Sequence, residues 1–441
     1  MLGGIGGRRP YIYLYYYSGN GENWIFDEDG LWNGYDVYPY EDGETVEFDP
    51  SLYVASGYCG DNFGDGKNLA WMIDENGTLT IKGTKPPYKT TNYKEILEKK
   101  MVDAVYISAY WESHIEIAIA AMRAGVAVAC EVGGAYSIDE LNELVKTQEE
   151  TGTPFMFMEN CCYNKHELLG TAIARSGKLG KIVHASGMYG HDLREEISHG
   201  NIKRHYRLRN YTNRNCENYP THELGPIARL LNVNRGNRLV SLVSVASSAH
   251  GLEQYINDKE LYKEDPTLKD RRFKQGDIVT TVITCAGGET IVLTLDTTLP
   301  RSYDRGFTVR GTKGSYSMTT NSVFLDGEKE YWDNVEYLKG ALDNAKSYEE
   351  DYLPEVWKNM TAEDIERGHG GMDGIMFARF IHCLINGEPM DIDVYDGATW
   401  MAITALSEMS IAQGGAPQQI PDFTNGKWLI RKPKDVLPLT K

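Results

Sequence analysis

The chain has 441 residues, 41% of them apolar, and a formal net charge of −18. That length suits two or three domains with self-sufficient cores, and the acidity argues against nucleic acid or an anionic membrane as partner. Seven cysteines without CxxC spacing argue against a disulfide framework or a structural zinc site, and no run approaches the roughly 18 apolar residues of a membrane span. The opening stretch, Arg8-Arg9 followed by Tyr11 to Tyr17, lacks a small-residue cleavage site and is too rich in tyrosine for a signal core, so a cytoplasmic location is the default expectation.

Up to about residue 92 the chain is rich in Gly, Tyr, Asp and Asn and holds no helical periodicity. Trp24 to Gly30 and Trp71 to Gly77 echo one another, and the second runs through an Asn76-Gly77 turn into the alternating Thr78 to Ile81, a hairpin pattern. Residues 1–92 are therefore read as a β-rich or disordered extension. From Tyr93 the pattern is regular. Asp103–Ala109 is a short apolar strand, and Ile115, Ala118, Ile119 and Met122 then recur at helical spacing up to the stop at Gly125. Val126–Cys130 is a second strand. Ser137 and Glu140 form a capping box for a helix to about Glu150, and Phe155–Met158 is a third strand. Strands alternating with helices of this length imply parallel pairing by right-handed crossovers.

Residues 93–165 thus read as half of a doubly wound, Rossmann-like sheet. Its other half should start with a strand, a GxGxxG turn and a helix. Gly3-Gly4-Ile5-Gly6-Gly7, Gly19-Asn20-Gly21 and Gly60 to Gly66 supply glycines without a recognisable strand before or helix after. The cofactor fold is accordingly expected to be incomplete, and the dinucleotide it holds to be weakly retained. Residues 166–441 read as an α+β domain with an open, antiparallel-rich sheet. Its elements are a helix over Lys165–Ser176, strands over Lys181–Gly187, Leu239–Ala246, Ile278–Ala286, Glu289–Asp296 and Gly306–Gly311, and helices over Asp364–Asn386 and Ala398–Gln413.

Chemistry concentrates at the C-terminal ends of the three parallel strands, where loops and helix N-termini converge. Trp111-Glu112-Ser113-His114, Glu131-Val132-Gly133 and Glu159-Asn160 fall there, and Tyr219-Pro220-Thr221-His222 adds a phenol and an imidazole three residues apart. Taken singly, each has a plain alternative: His114 and Glu112 as helix N-terminal groups, Tyr189 and Tyr303 as packed aromatics, Arg207 as one of a solvated basic run with Arg204, Arg209 and Arg214. His191-Asp192 lacks a third ligand, so hydrogen bonding is preferred to a metal site there.

Together with Cys130 to Gly134, Gly190-His191-Asp192-Leu193-Arg194, Gly368-His369-Gly370-Gly371-Met372-Asp373 and Ile420 to Trp428, these motifs resemble the Gfo/Idh/MocA oxidoreductase superfamily. Within it they are most similar to the NAD-dependent α-N-acetylgalactosaminidases of glycoside hydrolase family 109, over about residues 93–441. Sugar dehydrogenases of the superfamily carry Glu-Lys-Pro where this chain has Glu131-Val132-Gly133, which favours the glycosidase branch. The resemblance implies NAD as cofactor, a terminal α-N-acetylgalactosamine or related sugar as substrate, and hydrolysis by oxidation at C3, elimination, addition of water and reduction. It implies cofactor contacts at Trp111, Glu112, Ser113, His114, Glu131, Val132, Asn160 and Tyr219. Substrate contacts are implied at Tyr189, Arg207, Tyr219, Pro220, Thr221, His222 and Tyr303. His222 suits the base for the C3 hydroxyl, because imidazole as a residue type titrates near neutrality, with Tyr219 or Tyr163 as a second proton carrier. No metal site is expected, and pairing of copies through the C-terminal sheet is. The alternatives are a catalytically impaired relative that still binds carbohydrate, and a sugar dehydrogenase.

Overall fold

The computed structural model describes residues 93–98, 102–202, 206–328, 333–366 and 369–439, together with the backbone of six strands between residues 12 and 83. The first unit is a four-stranded parallel sheet in the order Ile12–Tyr15, Ala104–Ile107, Ala127–Glu131, Phe155–Met158. Two crossover helices, Trp111–Arg123 and Ile138–Thr151, cover it. The capping box at the second helix forms as the sequence indicates: the Glu140 backbone N–H donates to Ser137 Oγ, the Ser137 N–H donates to Glu140 Oε1, and Gly152 ends the helix in the left-handed region.

One strand departs from expectation. Ile12–Tyr15, placed by the sequence reading in a separate extension, pairs in parallel with Ala104–Ile107, from Ile12 opposite Ala104 to Tyr15 opposite Ile107. Gly19-Asn20-Gly21 therefore does follow a strand, and that part of the objection to it falls; the turn itself lies outside the described residues. The remaining early strands form their own five-stranded sheet, in which Leu69–Ile73 and Leu79–Gly83 pair antiparallel as the hairpin pattern implied.

The second unit is an eight-stranded mixed sheet in the order Ser322–Leu325, Gly314–Ser317, Thr308–Gly311, Ile182–Gly190, Thr290–Asp296, Ile278–Cys285, Leu239–Ala246, Gln418–Gln419. It is antiparallel except that Ile182–Gly190 runs parallel to Thr290–Asp296 at its centre. The helix Val394–Ala412, capped by Asp393 and buried over most of its length, packs on the strand Leu239–Ala246, on the helix Ile138–Thr151 and on the strand Phe155–Met158. It bridges the two units, with Trp400 edge-on to Phe157 and the Phe157 N–H donating to Ile392 O at 2.9 Å. The helix expected over Asp364–Asn386 is broken. Ala362–Glu366 and Met372–Asn386 flank a turn in which His369, Gly370 and Gly371 all take positive φ (45°, 70° and 91°), and three left-handed residues cannot continue a right-handed helix. Among the described residues, no helix is long and apolar enough to cross a membrane.

Candidate active site at the strand rim

The helix Thr221–Leu230 lies against the turn Asn160–Tyr163 and the strand Ile182–Gly190. Gly225 makes the approach close: a Cβ there would sit 2.8 Å from Glu159 Cγ. His222 thereby meets Glu159, the residue that follows the strand Phe155–Met158, with Nδ1 2.7 Å from Oε1. Glu159 is fully buried and also accepts from the Cys161 N–H at 3.0 Å. Burial alone would raise its carboxyl, but the charge and hydrogen bond of His222, the Thr221 hydroxyl and the Cys161 N–H outweigh it and hold Glu159 below the usual range. With Nδ1–H donated to this carboxylate, His222 Nε2 is left as an acceptor.

Aromatic rings surround that imidazole. Tyr219 lies edge-on to it at 4.7 Å and Tyr189 at 5.5 Å, and Tyr219 stacks on Trp111 at 5.4 Å. The Arg207 guanidinium sits 4.9 Å over Tyr219 and 5.1 Å over Trp111, paired with Glu196 at 2.7 Å. Arg207 is buried, so the solvated-run reading fails for it; Arg209 pairs with Glu112 and Arg214 with Glu408. Tyr189 Oη is 3.3 Å from His191 Nδ1, and His191 is edge-on to the half-exposed Tyr303, whose hydroxyl accepts from Arg305. Asp192 is taken up by Arg194. Pro220 and Thr221 are buried. Glu217 and Glu223 are buried and interact with one another, and burial pushes the Glu217 carboxyl up to about 8.

The rest of the rim faces the same region. His114 is buried, with Nε2 donating to Ala109 O at 2.8 Å, so Nδ1 keeps its lone pair and has no partner among the described residues. Burial lowers His114 to about 4, and it is neutral at neutral pH. Gly133 is tight against this corner: a Cβ would lie 2.9 Å from Trp111 Cδ1 and 3.2 Å from His114 Nδ1. Glu131 accepts from the Tyr106 hydroxyl at 2.6 Å and from the Val132 N–H at 3.2 Å, and burial raises it to about 7 despite the Tyr106 bond. Asn160 donates to Asp373 Oδ1 at 2.7 Å. Ser113 caps no group at the helix start beyond its own N–H bond to Tyr110 O.

Tyr163 does not join this cluster. It is fully buried, its hydroxyl donates to Asp391 Oδ2, and its carbonyl accepts from Trp357 Nε1, so its polar atoms serve the packing of the C-terminal helices. Tyr106 and Glu196 are not singled out by the sequence, and Glu159 and Asp373 stand there in motifs without a role of their own. Glu159 had a usable signal, its place at the end of the third strand. Glu159, Cys161 and His222 also present ligand atoms within 4.8 Å of one another. The Cys161 thiol is pushed up by burial and donates to Asn160 Oδ1, which suits proton-sharing better than metal ligation.

The family is decided by comparison. A model of the glycosyl hydrolase 109 C-terminal domain matches residues 163–430, and one of the oxidoreductase-family NAD-binding Rossmann fold matches residues 80–158. The chain belongs to glycosyl hydrolase family 109. It is 38% identical to a glycosyl hydrolase family 109 protein of Stenotrophomonas maltophilia, over 82% of this chain and 83% of that one. It is also 38% identical to an α-N-acetylgalactosaminidase of Tannerella forsythia, over 77% and 75%. An inositol dehydrogenase homologue of Azotobacter vinelandii complexed with NAD+ shares the fold, with a TM-score of 0.54 at 15% identity, over 75% of this chain and 82% of that one. The Rossmann-like sheet plus mixed, mostly antiparallel sheet of this family-109 chain matches that architecture.

Proposed function

We propose that this family-109 chain hydrolyses terminal α-N-acetylgalactosamine or a closely related α-linked sugar, using NAD+ as a recycled cofactor. The observation that carries the reading is the Glu159–His222 pair set among Tyr189, Tyr219 and Arg207 at the rim of the NAD-binding sheet. The rim fits the nicotinamide-ribose end of a dinucleotide: it offers the Glu131 carboxyl, the Asn160 amide and the unpartnered Nδ1 of His114. When bound there, NAD+ supplies a hydride acceptor for the sugar C3–H and returns the hydride at the end of the cycle.

The chain's own residues handle the protons and the ring. His222 Nε2 takes the proton of the C3 hydroxyl, and Glu159 stabilises the imidazolium that forms. Tyr219, stacked on Trp111, edge-on to His222 and lying under Arg207, carries a proton at C2. Arg207, Tyr189 and Tyr303 orient the sugar, whose apolar faces suit the aromatic walls. The absence of a lysine beside Glu131 favours hydrolysis over net sugar oxidation. The test is release of p-nitrophenol from its α-N-acetylgalactosaminide with and without added NAD+. Hydrolysis that rises on addition of NAD+, with no net NADH accumulating, supports the reading; net NADH formation from free sugars without hydrolysis supports a dehydrogenase instead.

A further inference from the structure

The segment from His369 to Asp373 has no part in the chemistry above, yet the structure brings Asp373 to Asn160 on the cofactor side of the rim. Three successive left-handed residues, His369, Gly370 and Gly371, turn the chain into the helix Met372–Asn386. A non-glycine residue in that region costs about 1–2 kcal/mol, so the imidazole is held there against a backbone penalty. His369 Nδ1 is 2.7 Å from Asp373 Oδ2, while Asp373 Oδ1 accepts the Asn160 amide at 2.7 Å. One carboxylate therefore holds a histidine with one oxygen and a rim asparagine with the other.

The charge of this pair reaches Glu131. Glu131 is faced by Tyr106 from the strand Ala104–Ile107, by Glu159 from the end of Phe155–Met158, by Tyr206 ahead of the helix Arg207–Asn213, and by Asp373 from the helix Met372–Asn386. His369 is faced by Asp373, Glu131 and Arg305. Asp373 opposes ionisation of Glu131, and His369 is held in its charged form by the Asp373 bond.

We propose that Asp373 and His369 are positioning residues for the dinucleotide: Asp373 aims the Asn160 amide, and His369 offsets the Asp373 charge so that Glu131 can ionise and accept the hydroxyls of a ribose. The inference rests on the proposed function only in taking NAD+ as the ligand of this rim. As an anion Glu131 accepts two hydroxyl bonds, and protonated it gives one of those sites up. NAD+ affinity therefore rises as pH increases through the Glu131 titration, near 7.

The experiment is titration of the purified full-length chain with NAD+ by calorimetry, from pH 5.5 to 8.5, for wild type and three variants. Asp373→Asn keeps an acceptor for Asn160 but removes the charge opposing Glu131, so the midpoint of the affinity profile moves down. His369→Asn keeps a residue that tolerates the left-handed backbone but removes the cation, so the midpoint moves up. Each shift is expected to be roughly half a pH unit or more. Asp373→Ala frees Asn160 and weakens NAD+ binding about 10-fold on the high-pH plateau, where Glu131 is ionised in every variant. Shifts of the same sign, no shifts, or unchanged affinity in Asp373→Ala would overturn the proposal while leaving NAD+ as the ligand. No binding by wild type at millimolar NAD+ would overturn both this and the functional reading.

Discussion

Replacing Glu159 by glutamine is the sharpest test of the Glu159–His222 pair. The glutamine oxygen can keep the position of Oε1, accepting from the Cys161 N–H and from His222 Nδ1–H, while its amide group turns toward the Thr221 hydroxyl. The imidazole then keeps its tautomer and orientation, and what is lost is the negative charge facing the imidazolium. A hydrogen bond to a charged group contributes about 1.5–3 kcal/mol against about 1 for a neutral one. The difference corresponds to a fall in kcat/KM of roughly 10-fold. His222→Ala removes the base itself and should cost about 10²-fold or more. If Glu159 acts through His222, Glu159→Gln placed on top of His222→Ala costs nothing further, and the cycle shows a coupling of about 1.4 kcal/mol. The assay is p-nitrophenol release at saturating NAD+, with thermal unfolding of each variant as control. Multiplicative losses in the double variant would refute the pairing, and equal loss of stability and activity in His222→Ala would assign that residue to the core.

His114 has a folded value of about 4 against 6.5 unfolded, so the unfolded chain binds its proton first. Its contribution, about 3 kcal/mol, is complete above pH 6.5 and is lost as pH falls from 6.5 toward 4; urea unfolding at pH 7 and 5 should show a smaller drop in His114→Gln than in wild type. Tyr163→Phe should keep activity within about 2-fold while lowering stability by about 1 kcal/mol, since its hydroxyl serves Asp391; a large loss of kcat with intact folding would restore it as a proton carrier. Glu167→Ala leaves the buried Arg305 without its 2.5 Å partner and should cost about 3–5 kcal/mol in chemical denaturation, and an unchanged midpoint would show that water or another carboxylate replaces it.

Elements with a strong period and a marked end could be read directly: Ser137 to Gly152 carries both its cap and its stop, and the three strands from Ala104 to Met158 alternate with helices. The helix Thr221–Leu230 could not, because all of it except His222 is buried. A helix without a solvent face shows no amphipathic stripe, and Pro226 inside it reads as a break. Gly370-Gly371 was a visible stop signal within a pattern otherwise helical from Asp364 to Asn386, and three left-handed residues acted on it. Arg207 looked like one of several surface arginines, and only the fold shows it buried between Trp111 and Tyr219. The partnership of Glu159 with His222 spans 63 residues, a separation at which no local pattern survives.

The placement of the site residues separates two properties of this chain. In the proposed mechanism, proton handling and sugar orientation depend on Glu159, His222, Tyr189, Tyr219 and Arg207, which come from the end of the strand Phe155–Met158, from the mixed sheet and from the starts of two helices. Retention of a dinucleotide depends on backbone N–H groups at a glycine turn and a helix N-terminus gripping the pyrophosphate. In the parallel sheet that turn follows the strand beside Ala104–Ile107, the place occupied by Ile12–Tyr15. The contacts proposed at Glu131, Asn160 and His114 would hold only the other end of the cofactor. Each charge-assisted bond missing at the pyrophosphate weakens binding by about 10-fold or more. Weak retention of the dinucleotide would lower the fraction of chains carrying NAD+ and raise the concentration needed for activity, while leaving the groups around the sugar in place. Turnover extrapolated to saturating NAD+ then reports the Glu159–His222 site, and the concentration needed to reach it reports the N-terminal segment.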